Sequence, residues 1–167
     1  MSMDLKRIAR HLTTTPRRLH KALPRDALAA IEKAIAASEA RHAGQIRFAA
    51  EASLDAAPLF GGQSARDRAI EVFSELRVWD TEHNNGVLIY LLVADRDVEI
   101  VADRGIAAKV GQDEWERICR GMEAAFKRRD FAQGVAGGIE EVTRHLASHF
   151  PPVGSRRNEL PDRPALL

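Results

Sequence analysis

Residues 79–105 read WDTEHNNGVLIYLLVADRDVEIVADRG, and this stretch decides the fold. From Val87 to Ala94 every residue is apolar, with branched and aromatic side chains prominent. A run that short predicts a strand buried on both faces rather than a helix. Asp95-Arg96-Asp97 interrupts it with residues suited to a tight turn. Val98 to Asp103 then alternates, with Val98, Ile100 and Ala102 on one face and Glu99, Val101 and Asp103 on the other. Two strands joined so tightly must be antiparallel. The start of the first therefore lies beside the end of the second. That pairing brings Asp80, Glu82, Asn84 and Asn85 toward Asp103 and Arg104. At least one of Gly86 and Gly105, which flank the hairpin, is expected to take positive φ.

Working outward, Gln45 to Glu51 is a strand with Ile46, Phe48 and Ala50 alternating against Gln45, Arg47 and Ala49. Ser53 to Gln63 reads as a loop, with Pro58, Gly61 and Gly62. Ser64 followed by Asp67 forms a capping-box pattern opening a helix with Ala69, Ile70, Phe73 and Leu76 inward. Gln45 to Ala94 is thus a strand, helix, strand unit with parallel strands. Upstream, Pro24 opens a helix buried along Leu28, Ile31 and Ile35, which Gly44 is placed to end. Downstream, a short turn or helix at Ile106 to Val110 precedes a helix carrying Trp115, Ile118, Cys119, Met122 and Phe126 inward. Asp130 and Gln133 cap a last helix that buries Phe131, Val135, Ile139, Val142 and Leu146. Its Gly134, Gly137 and Gly138 are costly in a helix and point to close packing. The expected fold is α/β: a single domain with a small mixed β-sheet sandwiched between helices. Residues 1–22 form a basic N-terminal arm, 23–150 the domain, and 151–167 a disordered proline-rich tail.

A chain of 167 residues is long enough for one domain with a proper core. Its net charge of +1 and single cysteine exclude a polycation, a disulfide framework and a multi-cysteine zinc site. The opening MSMDLKRIARHL has no apolar h-region and no segment is long enough to span a bilayer, so a cytoplasmic location is expected. The basic excess lies in the arm, with seven Lys or Arg and one acid between Met1 and Arg25. Leu5, Ile8 and Leu12 are at helical spacing there. The favoured reading packs them on the domain; the alternative is weak peripheral contact with an anionic membrane. Nucleic-acid binding is not expected, because the basic residues lack interleaved aromatics.

The pattern Phe73-Ser74, Trp79-Asp80, Asn84-Asn85-Gly86-Val87-Leu88-Ile89, Glu99-Ile100 and Asp103-Arg104-Gly105-Ile106 resembles the TPM domain. The resemblance covers about Leu23 to Phe150 and is most specific at Asn-Asn-Gly-Val-Leu. It implies a small mixed sheet between helices, divalent-cation binding with Ca2+ or another divalent ion, and, for some members, an acid-phosphatase activity. No organic cofactor is expected. Many bacterial members carry a signal peptide and a membrane anchor; the chain is similar to the short cytoplasmic branch. The family's aspartate near the next helix start matches Asp113 with a one-residue shift, since the segment here reads IAAKVGQDEW.

Carboxylates and amides on loop tips suit hard cations, which take oxygen ligands. The candidate ligands are therefore Asp80, Asn84, Asn85 and Asp103, with Asp113 the weakest. The structural alternative reads Asn84-Asn85-Gly86 as turn chemistry and Asp103 as an ion-pair partner of Arg104 or Arg77. Asp95-Arg96-Asp97 matches a DxD nucleophile motif only loosely, having Glu99 two positions on, and is read as a turn. His145 and His149 share a helix face without a third ligand, and Cys119 belongs to the core. No P-loop, GxSxG elbow or phosphatase cysteine is present. Two functions stay open: a non-catalytic binding module, with a protein partner of unknown identity and a link to envelope or membrane-protein maintenance, and a metal-dependent hydrolase of phosphate esters.

Overall fold

The computed structural model describes residues 4–154 and 157–167. Its centre is a four-stranded sheet in the order β3-β2-β1-β4. The strands are β1 (Gln45–Glu51), β2 (Gly86–Leu92), β3 (Asp97–Ala102) and the two-residue β4 (Ala165–Leu166). β1 and β2 are parallel, with Gln45 opposite Gly86, and β2 and β3 are antiparallel, with Val87 opposite Ala102 and Leu92 opposite Asp97. The sheet is thus mixed, as the hairpin and the strand, helix, strand unit require.

Every residue of β2 is buried. Val87, Ile89 and Leu91 join Ile46 and Phe48 in one core under α3 (Arg25–Glu39), α7 (Gln112–Lys127) and α8 (Phe131–His149). Leu88, Tyr90 and Leu92 join Ala49 in a second core under α4 (Ala56–Phe60) and α5 (Ala65–Glu75). A buried Leu, Ile or Val contributes about 1.5–3 kcal/mol, so burial of both faces pins the register of β2. The remaining helices are α1 (Leu5–Thr13) and α2 (Pro16–Ala22) in the arm and the short α6 (Arg104–Ala107) after β3.

Local signals placed most elements. Ser64 and Asp67 make the reciprocal capping box, and α7 buries Trp115, Ile118, Cys119, Met122 and Phe126. A Cβ on Gly134 or Gly138 would lie 2.7 Å from Phe126 Cε1 or 2.3 Å from Met122 Sδ, so these two glycines let α8 press against α7; Gly137 faces open space.

Several expectations are corrected. In α5, Ala69, Phe73 and Leu76 pack inward as expected, joined by Ala65 and Val72, while Ile70 is 47% exposed. Ile70 lies about 100° round the helix from Ala69, which turns it to the solvent side. The loop after Ser53 contains α4. Gly44 does not end α3, which stops at Glu39; a Cβ there would meet Leu146 Cδ2 at 2.6 Å, so it makes room for α8. Asp130 precedes α8 without a side-chain capping bond. In the arm, Leu5 and Leu12 are 70% and 63% exposed, and it is Ile8 that packs on the second core.

Gly86 and Gly105 both have ordinary φ, and the positive angle falls on Asn84 at 51°. Asn is among the few non-glycine residues that enter the left-handed region readily. The glycines are needed for space instead: a Cβ on Gly86 would lie 2.1 Å from the Val78 carbonyl oxygen, and one on Gly105 2.5 Å from that of Asn84.

The segment expected to be a disordered tail is ordered along the sheet at residues 157–167. The Glu159 and Leu160 amides donate to Gln45 Oε1, Arg47 donates to the Pro161 and Arg163 carbonyls, and Ala165–Leu166 pairs in parallel with Ala49–Ala50. Composition marked it as disordered, but Leu160 finds a buried seat in the second core.

Candidate functional site

The site is built where the loop after α5 meets the end of β3. Val78 is fully buried and anchors the loop. Asn85 N donates to Thr81 Oγ1 at 3.1 Å, coiling the segment before β2. Two backbone bonds then zip the loop to the far strand: Asp103 N to Gly86 O and Gly105 N to Asn84 O, each 2.9 Å. The antiparallel pairing thus brings Asn84 and Asn85 beside Asp103, as the sequence predicted.

The side chains divide by how well they are satisfied. Asn85 is fully buried; its Nδ2 donates to Ala43 O at 3.3 Å, while Oδ1 has no hydrogen-bond partner. Asp103 Oδ1 accepts from Arg104 N at 2.7 Å, capping α6, while its buried Oδ2 has none. A buried acceptor without a donor costs about 1–3 kcal/mol, so two on neighbouring segments call for a ligand or water. Asp80 is exposed and paired with Arg77 at 2.7 Å, whose guanidinium lies over Trp79 at 5.5 Å from the ring centre. Asp113 sits exposed in the first turn of α7, a different element, where a carboxylate favours the helix dipole. Among the described residues no three His, Cys, Asp or Glu side chains gather to hold a metal ion, so Asp80, Asp103 and Asp113 form no carboxylate cluster. A cation here would rest on the Asp103 carboxylate plus amide and backbone oxygens.

The opposite end of the hairpin carries a constellation that sequence reading did not single out. Asp95, in the turn, is met by Arg7 at 2.9 Å, His11 Nε2 at 3.1 Å and Arg10 at 3.4 Å. His11 is 2% exposed, and its Nδ1 accepts from Leu54 N at 3.0 Å. That bond assigns the ring proton to Nε2, which donates to Asp95. Burial works to raise the Asp95 carboxyl, but hydrogen bonds from Arg7 and His11 outweigh it and hold the group below its ordinary value. The spacing of Arg7, Arg10 and His11 along one face of α1 is the signal that was available.

Other titratable groups are structural. Glu51 accepts from Tyr90 Oη at 2.6 Å and from Arg68 at 3.0 Å in the second core. Burial and the Glu51 hydrogen bond raise the Tyr90 hydroxyl far above its usual range. A cleft of about 170 Å³ between β3 and α7 is lined by Asp97, Glu99, Glu123, Trp115 and Cys119. Burial, with Glu99, Glu123 and Asp95 nearby, pushes Asp97 up to about 7. Burial also pushes the Cys119 thiol up to about 12, which leaves it unreactive. His145 pairs with Glu114 at 3.0 Å and stands edge-on to Trp115, while His149 is exposed.

Comparison with known proteins matches this geometry to one family. The family model described as the TPM domain matches residues 19–145. The BA42 protein of the psychrophilic bacterium Bizionia argentinensis, solved by NMR, is 33% identical, with a TM-score of 0.75 over 86% of this chain and 94% of that one. The N-terminal domain of a protein from P. gingivalis, solved by NMR, shares the fold at a TM-score of 0.56 and 18% identity, covering 73% of this chain and 76% of that one. No protein with a curated description matches the chain in sequence. Among the described residues no helix is long and apolar enough to cross a membrane. With the Asn84-Asn85-Gly86 entry to β2, the mixed sheet between helices and a match over most of its length, the chain belongs to the TPM domain family.

Proposed function

We propose that the chain is a non-catalytic binding module that takes up a divalent cation, with Ca2+ the best-suited ion, at the open end of the β2–β3 hairpin. The observation that carries this reading is the pair of buried oxygens without donors, Asn85 Oδ1 and Asp103 Oδ2, on segments joined by backbone hydrogen bonds. Both are hard oxygen donors, the type Ca2+ takes. With one firm carboxylate the affinity is modest, and Asn84 and Asp80 complete the set only by turning toward the ion. Cys119 and Asp97, whose thiol and carboxyl are raised by burial, line a different cleft, between β3 and α7.

The test is a calcium titration followed by calorimetry and amide NMR on the full chain. Saturable binding is expected, with shifts at Asn84, Asn85, Asp103 and Arg104, and at least tenfold weaker binding by Asp103→Asn. Equal affinity of the two proteins, or no shift at millimolar calcium, sinks the reading. Cation-dependent turnover of an aryl phosphate that Asp103→Asn abolishes would replace the binding module with a hydrolase.

A further inference from the structure

The two edges of the sheet are closed in different ways. On β3, the outer edge is blocked by side chains of packed helices: Val98 N donates to Glu123 of α7 at 3.2 Å, and Ile100 O accepts from Arg66 of α5 at 2.6 Å. Both bonds come from helices packed on the sheet, so this edge is already engaged by the body of the domain. On β1, the strand paired at the edge, among the described residues, is β4, within residues 157–167 of the chain itself.

That cover is slight. Among the described residues only Ala49 and Ala50 pair with a strand on this side, and Gln45 to Phe48 have no strand partner there. The lower part of the segment is held by side chains, Gln45 Oε1 accepting from the Glu159 and Leu160 amides and Arg47 donating to the Pro161 and Arg163 carbonyls. Pro161 and Pro164 have no N–H to give a ladder. One side chain, Leu160, is well buried at 5% exposure, while Leu166 and Leu167 are 36% and 43% exposed. An open groove of about 700 Å³ remains beside the segment, walled by Arg25, Leu28 and Glu32 of α3 and by Leu166. The segment therefore supplies half a strand to an edge that accepts a whole one.

We propose that the β1 edge is a strand-addition site for an extended peptide of a partner protein, and that residues 157–167 occupy it in cis as a displaceable strap. The fit defines the partner: an extended segment running parallel to β1, presenting carbonyls to Arg47, with a leucine in the Leu160 seat and, five residues on, a small residue and an apolar one beside Ala49 and Ala50. A partner free of proline across the edge pairs with all seven residues of β1 rather than two. The strap lowers the partner's apparent affinity by the fraction of chains in which the edge is open. This inference does not depend on cation binding: a chain that takes up no ion can still bind the peptide.

The test uses a fluorescein-labelled peptide of the sequence 157–167, followed by anisotropy, with the full chain and variants. Leu160→Asp loosens the strap and leaves the edge intact, so it should bind the peptide at least tenfold more tightly than the unaltered chain. Adding Arg47→Ala should reverse most of that gain. Equal binding by Leu160→Asp and the unaltered chain, or none by either, overturns the proposal. If Leu160→Asp does not fold, hydrogen exchange on the unaltered chain decides: the Leu160 and Leu167 amides should exchange well before those of Ile89 and Leu91. Equal protection means that the strap opens only with global unfolding, and also overturns it. A concentration-dependent dimer lost in Leu160→Asp would place a second copy on the edge and overturn the partner.

Discussion

The hairpin of β2 and β3 has an acid at each end, and the two are treated in opposite ways. At the turn end, Asp95 receives two arginines and a histidine from α1, and its oxygens are filled. At the open end, Asp103 caps a short helix with one oxygen and keeps the other buried without a partner. The first arrangement fixes the arm on the domain. The second leaves coordinating capacity unused inside a loop held by its backbone. Proximity of carboxylates to a strand end is therefore not enough to mark a site; what separates the two ends is whether the lone pairs are already taken.

The largest expected effect comes from breaking the close approach that builds the open end. Gly86→Ala places a methyl group 2.1 Å from the Val78 carbonyl oxygen, in backbone rather than in a flexible side chain. The loop must move, at a cost of about 3 kcal/mol. Chemical denaturation should show the loss, and the Asn84 and Asn85 amide signals should shift most. A change under about 1 kcal/mol would mean that the loop is not pinned against the strand.

Asp95→Ala tests the turn end. It leaves Arg7 and His11 facing each other without their shared acceptor, and should cost about 2 kcal/mol after discounting for partial exposure. The Asp95 carboxyl is held below its ordinary value in the folded chain, so its contribution is present above the ordinary carboxylate range and fades as pH falls through it. The gap between Asp95→Ala and the unaltered chain should thus narrow in acid. Calcium binding should not change. Loss of cation affinity in this variant would mean that the two ends are not separate.

Asp97, two residues along, has the reverse sign. Its carboxyl is raised from 3.8 to about 7 by burial and by the charges of Glu99, Glu123 and Asp95. The folded chain keeps this proton where the unfolded chain has released it. The associated stability is full below about pH 4 and is lost as pH rises through 7. Asp97→Asn should therefore stabilise the chain by about 1 kcal/mol at pH 8, after allowance for solvent screening, and leave it unchanged at pH 4. Thermal unfolding at the two pH values reads this directly, and equal shifts at both would remove the burial argument.

The fold was legible wherever local rules and burial agree. The unbroken run Val87 to Ala94, the turn at Asp95 and the alternation after it dictated β2 and β3 to within two residues. The site was legible only in part. Antiparallel pairing put Asn84 and Asn85 beside Asp103, because that follows from topology alone. Which oxygens remain unsatisfied depends on three-dimensional accounting that no spacing encodes: Ala43 takes the Asn85 amide and Arg77 takes Asp80. The roles of Gly86 and Gly105 were misjudged for the same reason, since crowding by Val78 and Asn84 is a tertiary fact. His11 and residues 157–167 escaped because their partners, Asp95 with Leu54 for the first and β1 for the second, lie far away in sequence.

The smallest expected effect separates the members of the open end. Asp80 belongs to the candidate ligand set by position, yet it is exposed and its carboxylate is held by Arg77 at 2.7 Å, with that guanidinium over Trp79. To reach a cation beside Asp103 it must leave Arg77. An exposed ion pair contributes about 0.2–1 kcal/mol and is screened by salt, so the exchange is cheap but gains little. Asp80→Asn should alter stability by less than about 0.5 kcal/mol. It should weaken calcium binding far less than Asp103→Asn, whose buried oxygen has no other partner to return to. Titrating both variants at low and high salt orders the two residues. If Asp80→Asn proves the more damaging, the ion is held at the loop's outer surface, and the buried oxygens of Asn85 and Asp103 are satisfied by water instead.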